Sequence, residues 1–224
     1  MSSLPEAVIE AGVRLLERDG VAALRARTVA AEAGTSTMAV YTHFGGMTGL
    51  LDAIAREVFD RFTVVLTEVP LTDDPVADFL AMGLAYHDFA MANPQRYQLM
   101  FGTSAPASIA QHRSDLTQSG SAADRAEWAA SFGALRQAVH RMMVAGRIRT
   151  DDELTVAGRL WSINHGVVML ETAGFLGDDG RALTQILGPV IIDALVGMGD
   201  DRDAAQQSLQ SVVQRIESAA QPSS

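Results

Sequence analysis

The 224-residue sequence contains no cysteine and no lysine. Without cysteine the chain can form no disulfide, no thiolate metal site and no cysteine nucleophile, and its composition fits a reducing compartment. It also lacks a run of about 18 apolar residues and a basic N-terminus followed by an apolar segment, which mark membrane helices and secretory signals. We therefore expect a soluble protein of the cytoplasm.

Positive charge is scarce and is carried by arginine alone. The formal net charge is −10, with 17 Arg against 27 acidic residues. A nucleic-acid-binding protein is expected to show a basic patch. Between Arg14 and Arg27 four Arg face only Glu17 and Asp19. Binding to DNA would depend on this local patch, with the acidic charge carried further along the chain.

The hydrophobic pattern is helical almost throughout, and no strand pattern persists beyond a few residues. Hydrophobic residues make up 48% and aromatic residues 6%, which suits packed helices rich in Ala, Leu and Val. Asp19-Gly20, Asp73-Asp74-Pro75 and Asn93-Pro94 are helix stop and start signals. They predict an all-α protein. The first helix ends at Asp19, a short helix follows Ser36 and another begins at residue 94. The remaining helices are predicted over about 26–33, 47–69, 73–92, 124–145, 152–173, 181–196 and 204–219, and residues 102–123 are predicted to be a loop.

The stretch from Arg25 to Leu51 predicts a helix-turn-helix. Gly34 permits a left-handed turn after the first short helix, and Ser36 can accept a hydrogen bond from an N–H at the start of the second. In this motif the second helix enters the DNA major groove through its N-terminal residues. The apolar residues that fix the crossing of the two helices are Val29, Ala30, Ala33, Val40 and Phe44.

This stretch closely resembles the tetracycline-repressor (TetR) family, over roughly residues 5–62. The residues that carry the resemblance are Arg27, Ala30, Ala33-Gly34, Ser36, Tyr41, His43-Phe44 and Leu50-Leu51. By this resemblance, base edges are faced by Thr37, Met38 and Thr42. The phosphates are contacted by Arg27, Tyr41 and His43.

Two positions depart from the family pattern. Met47 stands where the family usually has a Lys that meets a phosphate, and Arg25 stands where Ser or Thr usually caps the helix. Losing one Lys contact reduces the slope of DNA affinity against salt by about one unit. Arg25 can restore part of this charge.

The C-terminal part carries a second resemblance. Residues 160–171 resemble a TetR C-terminal class marked by Trp161, His165 and Gly166, and residues 93–101 resemble the mid-domain segment of that class. An aromatic ring and a histidine among apolar side chains can line a ligand pocket, although a packed core accounts for them as well. The candidate ligand-binding residues are Met82, Tyr86, Phe89, Phe101, Trp128, Trp161, His165 and Met169.

The resemblance implies two domains. Residues 1–46 form a helix-turn-helix domain, completed by the start of the 47–69 helix, and residues 47–220 form a helical ligand-binding and dimerisation domain. The expected partners are double-stranded operator DNA, a small apolar ligand and a second copy of the chain, with no membrane and no cofactor. Because 152–173 and 181–196 are apolar on more than one face, we expect them to form a four-helix dimer interface.

Other interpretations compete with a ligand-responsive repressor. The acidic charge and Met47 are compatible with a helical small-molecule-binding protein or enzyme that kept a degenerate helix-turn-helix, and the Ala-rich helices are compatible with a structural protein. The histidines from His87 to His165 show no metal-ligand spacing, and no catalytic triad is recognisable. The sequence therefore favours a DNA-binding regulator that is not an enzyme, and it leaves repressor or activator open.

Overall fold

The computed structural model describes the backbone of residues 3–102 and 126–220, and the side chains of residues 3–102 and 130–218. Within this part of the chain all regular structure is helical, as predicted. Apart from Gly102, the predicted loop over 102–123 lies outside the described residues. The elements are α1 (Leu4–Asp19), a 3₁₀ turn (Val21–Ala23), α2 (Ala26–Glu32), α3 (Thr37–Phe44), α4 (Met47–Thr67), α5 (Pro75–Ala92), α6 (Pro94–Phe101), α7 (Ala126–Val144), α8 (Glu153–Thr172), a π-helical segment (Ala182–Leu187), α9 (Gly188–Gly197) and α10 (Arg202–Ala220).

Local signals fix the beginnings of several helices. At the start of α1 the Glu6 N–H donates to the Ser3 hydroxyl, and the Ser3 N–H donates to the Glu6 carboxylate at 2.8 Å. This reciprocal pair satisfies two N–H groups that have no partner within the helix. Pro75 and Pro94 open α5 and α6, where the missing N–H of proline removes no helical hydrogen bond.

The segment predicted as one helix over 181–196 contains a π-helical turn followed by α9. Pro189 accounts for the difference. Proline cannot donate to the carbonyl four residues earlier, and its ring would collide with that carbonyl in a regular α-helix. The wider π-helical turn over Ala182–Leu187 accommodates the ring.

The described residues fall into two compact units, and α4 and α5 contribute to both. The first unit contains residues 3–63 and 89–102, and the second contains 64–88 and 126–220. In the first unit α1 and α4 approach so closely at Gly12 that a Cβ added there would overlap the side chain of Ile54. In the second unit α7, α8 and α9 bury a shared apolar core that includes Val139, Met142, Ala157, Leu160 and Leu195.

A partly buried ion network joins distant segments of the second unit. Arg147, just after α7, donates to both carboxylate oxygens of Asp200 at 2.7 and 3.0 Å, and to Asp74 at 3.0 Å. The Ser208 hydroxyl on α10 donates to the other oxygen of Asp74 at 2.6 Å. The side chain of Asp200 is only 2% exposed, so the paired guanidinium, and not water, supplies most of its hydrogen bonds.

None of the helices in the described ranges is long and apolar enough to cross a membrane.

Candidate functional site

A tight turn joins α2 to α3. Gly34 has φ 67°, the left-handed conformation predicted for it, and the Thr35 N–H donates to the Ala30 carbonyl at 2.9 Å. Val29 on α2 and Val40 on α3 have no exposed surface, so both helices bury the apolar residues predicted to fix their crossing. Together these features build the helix-turn-helix that the sequence predicted.

The two helices are capped differently from the prediction. Ser36 occupies the N-cap position of α3, but its side chain makes no capping hydrogen bond. The Ala39 N–H, which a capping hydroxyl would accept, donates instead to the Ser36 backbone carbonyl at 3.0 Å. At the start of α2, Thr28 supplies the missing cap, because its hydroxyl accepts the Arg25 N–H at 3.2 Å.

All six predicted DNA-binding side chains are exposed. Met38 is 69% exposed and Tyr41 is 58% exposed, although both flank the fully buried Val40 on the same short helix. Five of the six lie on the exposed surface of α3, and the sixth, Arg27, lies in the first turn of α2. The five on α3 are Thr37, Met38, Tyr41, Thr42 and His43.

The basic patch is smaller than the sequence suggests. Glu32 on α2 accepts from Arg14 at 3.4 Å and from Arg18 at 3.2 Å. Hydrogen bonds from Arg18 and Arg14 hold the pKa of Glu32 below its ordinary value. Arg25 and Arg27 are exposed, and neither side chain forms an ion pair with another described residue. Within the described helix-turn-helix segment from 25 to 44, these two Arg are therefore the cations without a carboxylate partner.

Ion pairs also tie α1 to later helices of the first unit. Arg96 on α6 pairs with Glu17, and Arg61 on α4 pairs with Glu10. The Arg96 side chain is 15% exposed. A shift of α4 or α6 would thus displace α1 through these ion pairs, and α1 packs against α2.

Three of the candidate ligand-binding residues contact one another in the second unit. The Tyr86 hydroxyl and His165 Nδ1 are 3.0 Å apart, and the rings of His165 and Trp161 have centroids 5.2 Å apart. Burial lowers the pKa of His165, which favours the neutral ring. A neutral imidazole that accepts at Nδ1 carries its proton on Nε2. We call Tyr86, Trp161 and His165 the aromatic cluster.

The other candidates do not join a single group in the described structure. Met82 packs against the same apolar core as Trp161, and Met169 is half-buried on α8. Phe89 and Phe101 belong to the first unit, where their ring centroids lie 5.1 and 6.2 Å from that of Phe62. The side chain of Trp128 lies outside the described residues.

One buried pair beside the aromatic cluster was missed by the sequence analysis. His87 Nε2 lies 2.8 Å from Glu171 Oε2, and the two side chains are 8% and 6% exposed. The residues are 84 positions apart, so no local spacing indicates the contact. The available signal was weaker: a Glu at position 171 ends an otherwise apolar stretch of helix.

The two segments predicted to form the dimer interface each have a buried face and a second apolar face that is less buried. On α8, Leu160 and Val167 are buried while Leu170 is 48% exposed. In the segment from 182 to 197, Ile186 and Val190 are 40% and 38% exposed. The residues of the buried faces are Val156, Leu160, Val167, Leu187, Ile191 and Leu195.

Comparison with known families matches two parts of the chain. Residues 8–54 match the family described as bacterial regulatory proteins, tetR family. Residues 79–188 match the family described as tetracyclin repressor-like, C-terminal domain. The first match covers the helix-turn-helix, and the second covers the segment that holds the aromatic cluster.

Individual proteins and solved structures similar to this chain include transcriptional regulators. An uncharacterised HTH-type transcriptional regulator of Mycobacterium tuberculosis is 25% identical over 176 residues, which is 77% of this chain and 72% of that protein. A Rhodococcus protein of unknown function has a solved structure that superposes with a TM-score of 0.69 at 25% identity, over 89% of this chain and 97% of that one. SmeT, the repressor of the Stenotrophomonas maltophilia multidrug efflux pump SmeDEF, gives a TM-score of 0.59 at 20% identity, over 85% and 89% of the two chains.

Proposed function

Because the chain belongs to the TetR family of bacterial regulatory proteins, we propose that it is a cytoplasmic repressor that a small apolar ligand releases from a palindromic operator. Members of this family are DNA-binding transcription regulators and not enzymes, so the enzyme alternative is set aside. The observation that carries the proposal is the exposed face of α3 on a helix-turn-helix. The fold is similar to that of SmeT, a repressor, which supports repression over activation.

In the proposed complex, α3 lies in the major groove. Thr37, Met38 and Thr42 face the base edges, while Arg27 and Tyr41 lie along the phosphates together with His43. Support comes from the exposure of all six side chains, since residues that only packed the domain would be buried. Phosphate contacts hold the domain on the duplex and base contacts select the sequence.

A second copy of the chain would place two such helices in successive major grooves, with half-sites about 34–36 Å apart. The proposed interface is a four-helix bundle of α8 and the 182–197 segment from both copies. Each of these elements buries one apolar face in its own unit and leaves Leu170, Ile186 and Val190 partly exposed. A two-fold axis would bury these residues against their equivalents.

The ligand site is proposed around the aromatic cluster, with the Trp-His-Gly class as the C-terminal type. Tyr86 and His165 supply polar groups in otherwise apolar surroundings, which is typical of small-molecule sites. We further propose that the domain boundary lies at residues 46/47 and that α4 transmits the effect of the ligand to the helix-turn-helix domain. Only two residues separate this helix from the end of α3, and it contributes to both units. The ligand can lower DNA affinity only by binding the free conformation more tightly than the DNA-bound one.

Electrophoretic mobility shift with DNA from upstream of the chain's own gene tests the proposal. The wild type should retain a palindromic fragment, and Thr42→Ala should change the preference at particular base pairs. Thr150→Ala, an exposed Thr in a loop after α7, is the matched control and should bind as the wild type does. Wild-type specificity in Thr42→Ala would contradict the placement of α3.

For the ligand site, compounds that raise the melting temperature of the protein should also lower its DNA affinity, by about 5–150-fold for a coupling of 1–3 kcal/mol. Trp161→Ala should weaken their binding. Compounds that bind Trp161→Ala as tightly as wild type, and that leave DNA affinity unchanged, would rule out both the site and the switch.

A further inference from the structure

The buried pair of His87 and Glu171 joins α5 to α8 through a doubly engaged imidazole. Nε2 lies 2.8 Å from Glu171 Oε2, and Nδ1 lies 3.4 Å from Asp88 Oδ1. Both ring nitrogens therefore face carboxylate oxygens. An imidazole can donate from both nitrogens only when it is protonated, so hydrogen bonds to both carboxylates require the charged ring.

The charged groups around the ring come from both helices. Asp88, on α5 itself, is 68% exposed, and Glu171, on α8, is 6% exposed. No other described residue makes a hydrogen bond or an ion pair with the His87 side chain. Hydrogen bonds to Asp88 and Glu171 raise the pKa of His87, although burial of the ring opposes them.

Loss of the proton affects the two carboxylates unequally. Asp88 is in contact with water, which replaces the imidazolium at little cost. Glu171 is only 6% exposed, and a neutral ring would leave its charge without a cation and with at most one N–H to share between the two carboxylates. A buried charge without its partner is strongly unfavourable, so α5 and α8 would separate locally to hydrate the carboxylate.

The pair lies next to the aromatic cluster. Tyr86 directly precedes His87 on α5, and its partner His165 is six residues before Glu171 on α8. Two consecutive side chains of α5 thus hold α8, one through a charged histidine and the other through a histidine whose pKa is lowered by burial. Separation at His87 would loosen the neighbouring Tyr86–His165 contact.

We propose that His87 and Glu171 form a proton-controlled clasp between α5 and α8, closed while His87 is charged and released when it loses its proton. Release changes the surroundings of Trp161 through the Tyr86–His165 contact. The clasp itself does not depend on DNA binding. Its consequence for regulation, a ligand response that varies with pH, rests on the proposed ligand site.

The test uses the full-length protein with Trp128→Phe, so that Trp161 is the one emitting tryptophan. Acrylamide quenching of its fluorescence is followed from about pH 6 to about pH 9, across the range where histidines and their shifted forms titrate. We expect quenching to rise in one step whose midpoint lies above the ordinary histidine pKa of about 6.5. In Glu171→Gln the step should be lost and quenching should stay low, because no buried carboxylate is left to be hydrated when the ring loses its proton.

His140→Gln is the matched control. His140 is an exposed histidine that also pairs with a carboxylate, Glu153 at 2.6 Å, so its removal should leave the step unchanged. His87→Gln should lack the step altogether. A step that persists in His87→Gln, or one that is also lost in His140→Gln, would overturn the proposal.

A direct measurement covers the case in which these variants do not fold. In wild-type protein labelled with ¹⁵N-histidine, NMR reports whether both ring nitrogens of His87 carry protons. We expect the imidazolium to persist to a higher pH than the ordinary histidine pKa of about 6.5 would allow. A ring that loses its second proton at or below that ordinary value would refute the clasp. Neither experiment contains DNA, so failure of the clasp and failure of the proposed repressor function give separate results.

Discussion

Replacing Arg27 by Ala should flatten the salt dependence of DNA binding. Arg14 and Arg18 are held by Glu32, which leaves Arg25 and Arg27 as the two cations beside α3 that are open to phosphates. A dimer then makes about four phosphate contacts through Arg. At about −0.9 per contact, log affinity should fall with log salt at a slope of about −3.6.

Arg27→Ala removes one contact from each protomer and should reduce the slope to about −1.8. Between about 50 and about 200 mM salt, wild-type affinity should fall about 150-fold and that of the variant about 12-fold, by the same relation. The loss should be equal for operator and unrelated DNA, because phosphates carry no sequence information. Fluorescence anisotropy of a labelled duplex at four or more salt concentrations measures both slopes.

Arg14→Ala is the matched control, since Arg14 is an exposed Arg of the same unit that is already paired. Its slope should equal that of the wild type. A wild-type slope near −7 would mean that Arg14 and Arg18 leave Glu32 to reach phosphates, at about −0.9 for each contact. An unchanged slope in Arg27→Ala would refute the assignment of this residue to the backbone.

Three further predictions concern stability and assembly. Gly49→Ala should lower the free energy of unfolding by about 1–3 kcal/mol or more in urea titrations, because the added Cβ would overlap the backbone carbonyl oxygen of Phe44. Arg147→Met should lower it by about 3–5 kcal/mol, because the buried carboxylate of Asp200 would lose its partner. Leu170→Asp should yield monomers in light scattering at micromolar concentration, because a charge would enter the proposed interface.

Each of these variants has a counterpart. Gly83→Ala places its Cβ in open space and should keep or slightly raise stability. Arg159→Met breaks a pair whose side chains are 54% and 50% exposed, and should change stability by less than about 1 kcal/mol. Leu71→Asp changes a residue that is 68% exposed outside the interface and should leave the dimer intact. Equal effects within any of the three pairs would contradict the explanation given for it.

Helix positions followed from short-range signals. Asp19-Gly20 ended α1 and Asn93-Pro94 opened α6 as predicted, because a helix terminus depends on a few neighbouring residues. The same reasoning found the left-handed turn at Gly34. It failed at Ser36, where a backbone carbonyl takes the N–H that the hydroxyl was expected to accept. Competition between two acceptors in one turn cannot be decided from residue types alone.

The site was harder to predict because its contacts are long-range. Sequence analysis placed Tyr86 and Phe89 in one group, yet Tyr86 contacts His165 while Phe89 packs on Phe62 in the other unit. Three residues along a helix is enough to change what a side chain touches when the helix belongs to two units. Likewise, Glu32 lies 18 residues from Arg14, and only the packing of α2 on α1 shows that it neutralises part of the basic patch.

The network around Arg147 has a consequence for the order in which the chain folds during synthesis. Its hydrogen bonds span 73 residues back to Asp74, and Ser208 spans 134 residues to the same carboxylate. Since the ribosome adds about 5–20 residues per second, α5 is made many seconds before the segment that completes its N-terminal contacts. Until residues 200 to 208 emerge, Asp74 and Arg147 have only each other, the first N–H groups of α5 and water. The nascent second unit should therefore stay open to chaperones, while the first unit, whose described residues end at 102, can already fold.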